Sequence, residues 1–402
     1  MGKLLIINQF FYPDLAATSQ LMTDLVGELR SRKMPVDVVT GNRGYTNPGA
    51  RYPEEENYCG AHIHRCWSTG FNRGGKSSRL CNYLSFYPGA LARCLQVTKP
   101  KVVMTMSTPP LIALLGLTVA RIKGARFIYW IQDLYPEVAI HLGYLKPEGK
   151  MSRLLQKLST WILQQADQIV VVSEGMNNHL MHAGISSSKV RIIFNWSDDD
   201  RIHPLPKTEN PFIVQQGLSG KFVVAYSGNM GLAHDFTTIL AAMKALSRHQ
   251  DRLAFLMIGD GARKKPVQHF VQDHGLGNVR FLPYQPQEKL AEVLGAADLH
   301  LVSLNPRLEG LVFPSKIYGV LAAGRPLLFI GDPRGEAARL VREGKCGQSV
   351  AAGDTDGLVA IIESYLQHPE IAPREGLCGR QYLEQRFSRR QSLEQFGRLL
   401  EC

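Results

Sequence analysis

Short apolar runs alternate with loops and with stretches of helical period along this chain. Residues 3–8 read as a buried strand. A loop over 9–17 follows, and Thr18 is placed to cap a helix running to about Arg32. Leu21, Leu25 and Leu29 fall on one face of that helix at helical spacing. Residues 36–40 form a second predicted strand. This strand–loop–helix–strand order opens a Rossmann-like unit, whose parallel strands bury both faces of the sheet. Residues 101–106, 126–131 and 168–172 read as further strands, with helical segments between them.

The pattern restarts after Arg201. Pro204-Leu205-Pro206 reads as a stiff linker. Beyond it, 222–226, 253–258, 278–282, 299–302 and 326–330 are short buried-strand candidates, most followed by a polar or glycine-rich turn and a helix-like stretch. The predicted fold is α/β: two Rossmann-like, doubly wound parallel-sheet domains facing each other across a cleft. The expected divisions are 1–203, 204–380, and a last helix over 381–402 that packs back on the first domain. Ligands of such sheets bind at the carboxyl ends of the strands.

Composition narrows the partners. A chain of 402 residues, 45% hydrophobic and 20% charged, suits two folded domains and excludes disorder. Its formal net charge of +11 favours anionic partners. With no known nucleic-acid module in the sequence, that partner is not expected to be nucleic acid. The 7 cysteines are widely spaced and form no C-x-x-C pair, so reduced thiols are expected and a zinc or redox motif is not. The N-terminal apolar run is too short for a signal peptide. Arg121 and Lys123 cut off the longest later run, around 109–120, before it could span a bilayer.

Four loops carry candidate chemistry. The first, 10–19, includes Tyr12, Asp14, Ala17 and Thr18, and its small residues sit where a strand hands over to a helix, a place that suits a phosphate. The second is Ser227-Gly228-Asn229-Met230-Gly231, whose glycines leave room for a ligand; it is not G-x-G-x-x-G, so a dinucleotide-binding dehydrogenase is not supported. The third, Gly259-Asp260-Gly261-Ala262-Arg263-Lys264-Lys265, is both glycine-containing and basic. The fourth runs from Leu308 to Pro326 and holds Glu309, Gly310, Leu311, Val312, Pro314, Ser315 and Lys316. Lys316 stands in the first turn of a predicted helix, where a cation works against the dipole and calls for an offsetting anion such as a diphosphate. Asp198-Asp199-Asp200 contains a formal D-x-D but lies beside the linker and is expected to be solvated rather than metal-binding. No metal site is expected, and no G-x-S-x-G supports a hydrolase.

Taken together, these motifs resemble the GT-B retaining glycosyltransferases of family four, above all the bacterial colanic-acid and O-antigen type with its fucosyl and N-acetylfucosaminyl transferases. The residues that carry the resemblance are Tyr12-Pro13-Asp14, Gln132-Asp133-Leu134-Tyr135-Pro136-Glu137, Ser173-Glu174-Gly175-Met176, Phe194-Asn195-Trp196, Tyr226-Ser227-Gly228-Asn229 and Pro314-Ser315-Lys316. The resemblance implies a nucleotide-sugar donor, UDP- or GDP-linked, held mainly by the second domain. It implies a saccharide acceptor, free or polyprenyl-diphosphate-linked, held by the first, and transfer with retention, without metal or other cofactor. Lys316, Asp133, Asn229 and His234 are then the catalytic candidates. Donor candidates are Ala17, Thr18, Ser227, Gly228, Gly231, Asp260, Gly261, Arg263, Lys264, Glu309, Gly310, Leu311, Val312 and Ser315. Tyr12, Asp14, Tyr135 and Glu137 fall on the acceptor side.

The chain departs from the family pattern in two places. Asn229 and His234 stand where an arginine and a lysine are common, and Leu311 and Gly319 stand where the glutamates of E-x7-E would fall. Glu309 is the candidate to compensate for the second glutamate, and Lys316, Arg263 and Lys264 for the missing cations. A UDP-sugar epimerase of the same architecture and a catalytically lapsed nucleotide-sugar-binding protein are the competing readings. The stretch 76–101 mixes Lys76, Arg79, Arg93, Lys99 and Lys101 with Leu80, Tyr83, Leu84, Phe86, Tyr87 and Leu91, as an anionic membrane surface would favour, and Pro88 is expected to kink or interrupt its helix. A cytoplasmic protein, peripheral on the inner face of the cell membrane, is the expected location.

Overall fold

The computed structural model describes residues 2–14, 16–45, 49–71 and 76–401. Cys402 and the side chains of Lys76 and Arg79 lie outside the described residues. The chain divides into two compact units, 1–194 with 392–402, and 195–391.

The first unit is built on β1 (Lys3–Ile7), β2 (Val36–Gly41), β3 (Glu55–Tyr58), β4 (Ala61–Cys66), β5 (Pro100–Thr105), β6 (Arg126–Ile131), β7 (Gln168–Val171) and β8 (Val190–Ile192). Their order across the sheet is β3-β4-β2-β1-β5-β6-β7-β8. The β3–β4 pair is antiparallel and the other neighbours run parallel. Val36, Val38 and Val39 are buried, as are Leu4, Leu5, Ile6 and Ile7 beside them. Helices on both faces of a parallel sheet require such continuous apolar runs. The closing helix, Arg389–Glu401, tilts Phe396 against Trp130 at a ring-centroid distance of 4.4 Å, and Glu401 pairs with Arg32 at 3.0 Å.

One local expectation fails here and one of two alternatives drops out. The first helix is Ala17–Ser31 and its cap position is Ala16, without a side-chain cap. Thr18 is therefore already inside the helix, which begins two residues earlier than a Thr18 cap would start it. Pro88 stands inside the helix Lys76–Gln96 rather than ending it. Packing holds that helix: Phe86 and Ala90, on either side of the proline, are fully buried.

The second unit holds β9 (Phe222–Ser227), β10 (Leu253–Ile258), β11 (Val279–Leu282), β12 (Leu299–Ser303), β13 (Leu327–Gly331) and β14 (Gly347–Ala351), in the order β11-β10-β9-β12-β13-β14. All of its strand pairs are parallel. Strand period places Val223 and Ala225 in one core, with Phe212 and Val293. It places Val224 and Tyr226 in the other, with Ile239 and Leu358. Pro204-Leu205-Pro206 belongs to this unit. The Leu205 carbonyl accepts from Arg325 Nη2 at 2.7 Å, so the segment is packed down rather than spanning as a bare linker.

Candidate functional site

The second unit gathers the glycine loops and Lys316 at the carboxyl ends of β9 and β10. The loop after β9 crosses the loop after β10 in a backbone lattice. Gly228 N donates to Ile258 O at 3.0 Å, Met230 N to Asp260 O at 2.7 Å, and Arg263 N to Met230 O at 2.9 Å. The crossing is tight enough to demand glycine. A Cβ on Gly259, at φ +127°, would stand 2.1 Å from Gly228 O. Gly228 itself, at φ +130°, leaves space against Lys316, whose Nζ would lie 3.5 Å from a Cβ placed there.

Lys316 opens the short helix Lys316–Ala322 behind Pro314 and Ser315, as the sequence indicated. Its ammonium lies 3.6 Å from the centroid of the Tyr226 ring. Nζ is buried and finds no hydrogen-bond partner among the described residues. Burial pushes its pKa from 10.5 down to about 7. His234 stands near it. One ring nitrogen, Nδ1, meets Ser303 O at 2.6 Å, and the ring packs edge-on to Tyr226. Burial first, and the Lys316 charge second, push the His234 pKa down to about 3, so its imidazole is neutral at physiological pH. Nδ1–H then donates to the Ser303 carbonyl, leaving Nε2 as an acceptor.

The other donor candidates divide. Ser227, Gly228 and Gly231 share the first loop with exposed Asn229, and Gly261 and Lys264 share the second with exposed Asp260 and Arg263. Lys264 Nζ is 4.0 Å from Asp260 Oδ2. Gly310, Leu311, Val312 and Ser315 form the approach to Lys316, with Leu311 N and Val312 N both bonded to Leu308 O. Glu309 points its carboxylate at the start of the helix Glu336–Glu343, where Oε1 accepts from Glu336 N at 2.8 Å. Burial raises its pKa. Glu309 is thus engaged as a helix cap. Ala17 and Thr18 belong to the first unit.

Asp198, Asp199 and Asp200 face cations. Arg389 Nη1 is 3.6 Å from Asp198 Oδ1 and 3.7 Å from Asp200 Oδ2, and Arg201 Nε is 3.4 Å from Asp198 Oδ2. The Asp199 carboxylate accepts from Arg389 N at 3.4 Å. Asp200 is exposed, as expected of a solvated loop, while Asp198 is more enclosed and paired with Arg201 and Arg389.

In the first unit, Asp133 follows β6. Its backbone N–H and that of Gln132 both donate to Ser107 Oγ, at 3.2 and 3.1 Å. Burial pushes the Asp133 carboxyl up to about 6. Tyr135 and Glu137 share this turn, and Tyr135 O accepts from Ser159 Oγ at 3.0 Å. Tyr12 and Asp14 sit on the loop after β1. Tyr12 stacks on Tyr58 with centroids 3.6 Å apart, and Asp14 caps Ala16 N at 3.2 Å while also accepting from Tyr45 N. Asp14 holds its loop in shape.

Tyr226 stood in a motif that carries the resemblance but without a role of its own, and Ser107, Ser303 and Arg65 were not singled out. Ser107 meets Gln132 and Asp133, and Ser303 meets His234, across long stretches of sequence, so no local signal marks them. Arg65 shows only 1% of its side chain and bridges Glu56 Oε2 at 2.7 Å, Tyr12 O at 2.7 Å and Pro53 O at 3.1 Å.

Two doubly wound parallel sheets of this order define the GT-B class of fold. Solved structures of that class superpose along almost the whole chain. A sucrose-phosphate synthase from Thermosynechococcus elongatus does so with a TM-score of 0.78 at 17% identity, covering 100% of this chain and 98% of that one. Anabaena Alr3699/HepE, solved with UDP and glucose, gives 0.74 at 16% identity, with both chains covered at 100%. Residues 18–196 match the family profile described as glycosyl transferase 4-like domain, and residues 209–376 match the glycosyl transferases group 1 profile. The chain belongs to these GT4-type glycosyltransferases. It is similar to WbjE of Pseudomonas aeruginosa, named a glycosyltransferase, with 24% identity covering 99% of this chain and 97% of that one. It is also similar to the colanic acid biosynthesis glycosyl transferase WcaI of Escherichia coli K12, with 25% identity covering 98% of each.

Proposed function

We propose that this chain transfers a hexosyl group, with retention and without a metal, from a UDP- or GDP-linked sugar to a saccharide carried on polyprenyl diphosphate, in the assembly of a surface polysaccharide. The second unit holds the donor and the first the acceptor. One observation carries the reading: the buried Lys316 ammonium, without a hydrogen-bond partner among the described residues, faces the glycine loop of Gly228. A buried cation is costly unless it is paired. A diphosphate supplies the missing anion, and its charge grows as the glycosidic C–O bond breaks. Preorganised cations and amide hydrogens that meet developing charge usually provide the largest share of catalysis. The acceptor oxygen forms the new C–O bond, and its proton passes to the departing phosphate oxygen. Asp133 orients that hydroxyl from the acceptor side.

The test is a panel of UDP-, GDP- and dTDP-sugars with a polyprenyl-diphosphate saccharide. Nucleoside diphosphate should be released only when the acceptor is present, with EDTA making no difference, and the product should keep the donor's anomeric configuration by NMR. Conversion of a donor without acceptor would favour an epimerase, and stabilisation without turnover a binding protein.

For the membrane face, the stretch 76–101 is weakened by Phe86, which is fully buried, and by Arg93, which pairs with Glu54 and Glu55 at 2.8 and 3.1 Å. The helix Lys150–Gln165 supports peripheral attachment better. It carries no acidic residue and exposes Met151, Leu154 and Trp161 beside Lys150, Arg153 and Lys157. Among the described residues, no helix is long and apolar enough to cross a membrane. Sedimentation with phosphatidylglycerol vesicles at low salt, abolished by Leu154→Glu/Trp161→Glu, tests the attachment; unchanged sedimentation of that variant removes this face.

A further inference from the structure

We infer that Tyr226 is a positioning residue for the diphosphate, acting through Lys316; this rests on the role proposed for Lys316. Three contacts converge on the Tyr226 side chain. Its ring face lies 3.6 Å beneath Lys316 Nζ, its hydroxyl donates to Asn229 O at 2.8 Å, and the His234 ring packs edge-on to it at 5.9 Å. The side chain is fully buried.

Each contact has a physical consequence. A lysine has four rotatable carbons and, unpaired, would sample many positions. An aromatic face attracts an ammonium without consuming any of its three donors. The ring therefore fixes where the charge sits while leaving Nζ–H groups free for phosphate oxygens. A carboxylate in the same place would have taken those donors and neutralised the charge. The hydroxyl bond reaches the Gly228–Gly231 loop, so one side chain sets both the cation and the backbone that approach the same anion. His234 buttresses the ring from its edge, itself held by Ser303 O at 2.6 Å. Tyr226 touches no reacting atom in this arrangement; it acts by holding the lysine and the loop in register.

A residue that positions a phosphate-binding lysine differs from one that merely fills a core. The first acts mostly on ligands that carry the second phosphate, whereas the second weakens every nucleotide alike. The experiment is calorimetric titration of the full chain with UDP and UMP, and with GDP and GMP in parallel, for wild type, Lys316→Ala, Tyr226→Leu, Tyr226→Phe and the Lys316→Ala/Tyr226→Leu double variant. Wild type should prefer the diphosphate by about 10-fold or more. Lys316→Ala should lose that preference with little change in monophosphate affinity. Tyr226→Leu should lose most of it as well, and the double variant should be no worse than Lys316→Ala alone. Tyr226→Phe keeps the ring and should retain at least about half of the preference, with affinity for both nucleotides lowered about 2- to 5-fold through the loosened loop.

If Tyr226→Leu weakens monophosphate and diphosphate equally, or if its effect adds fully to that of Lys316→Ala, Tyr226 is only a core residue and the inference falls. If Tyr226→Leu fails to fold, the phenylalanine variant decides: a diphosphate preference lost as completely as in Lys316→Ala overturns the ring-face assignment, and a retained one supports it. If Lys316→Ala keeps the full preference, the reading of Lys316 fails first and Tyr226 with it.

Discussion

Two buried cations in this chain each lie over a tyrosine ring, Arg65 5.4 Å from the centroid of Tyr52 and Lys316 3.6 Å from that of Tyr226, yet their surroundings differ completely. Arg65, in the first unit, is met by a carboxylate and two carbonyls, and its fork of donors ties the β3–β4 hairpin to the loop after β1. Lys316, in the second, meets no acceptor among the described residues. Both positions carry a desolvation cost. At Arg65 the structure itself repays it, and the cation is a fastening. At Lys316 no such repayment stands among the described residues, and that is the ground for proposing it as a binding group.

The comparison breaks first at Lys316. Replacing it with alanine is expected to slow transfer about 100- to 1,000-fold, the usual loss for one preorganised donor at developing charge. The urea midpoint should stay level or rise, since an unpaired buried charge is removed. A fall in stability with activity kept would reverse the two roles. Arg65→Met should do the opposite, lowering stability by about 2–3 kcal/mol by leaving Glu56 and two carbonyls short of a partner, as read by chemical denaturation. Gly259→Ala sharpens the picture of the lysine's surroundings. Its methyl would press on Gly228 O, and a loss of about 2 kcal/mol in stability, with weaker nucleotide binding, is expected.

A further effect lies in pH. Lys316 titrates near 7 in the folded chain against an ordinary 10.5. Between those values the unfolded chain binds a proton that the folded one lacks, so stability rises with pH across that window. Lys316→Ala should flatten the rise. Asp133 is the mirror case. Its folded pKa, about 6 against 3.8, makes the folded chain hold the extra proton, so its contribution to stability falls as pH climbs through that range. Asp133→Asn should remove this slope. Denaturation midpoints across pH 4–10 read both, and slopes unchanged by either substitution would place the two groups in solvent-like surroundings.

The sheets were readable from sequence wherever both faces are covered. β1, β9 and β10 are nearly continuous apolar runs, and β2 is one interrupted by Asp37, because helices lie above and below them. Of the strands not predicted, β3, β8 and β14 are sheet edges and β4 is internal but interrupted by His62 and His64; sequences such as Glu55–Tyr58 and Gly347–Ala351 carry no continuous apolar run. At the site, Lys316 was legible because proline, serine and lysine stand together at a helix start. Its tyrosine seat was not, since Tyr226 looks like any strand aromatic until its ring is seen under the ammonium. The bond that Glu309 makes to the helix start at Glu336 was not legible, because that partner lies 27 residues away in sequence.

The pairing of Phe396 with Trp130 bears on how this protein is made. The last turns of the chain complete the core of the body that contains its first strand. During synthesis, that body waits for every residue of 195–391 to leave the ribosome before its own final helix arrives. Its neighbour in sequence can mature on the way, while the earlier-born half stays unfinished until the helix Arg389–Glu401 has been made.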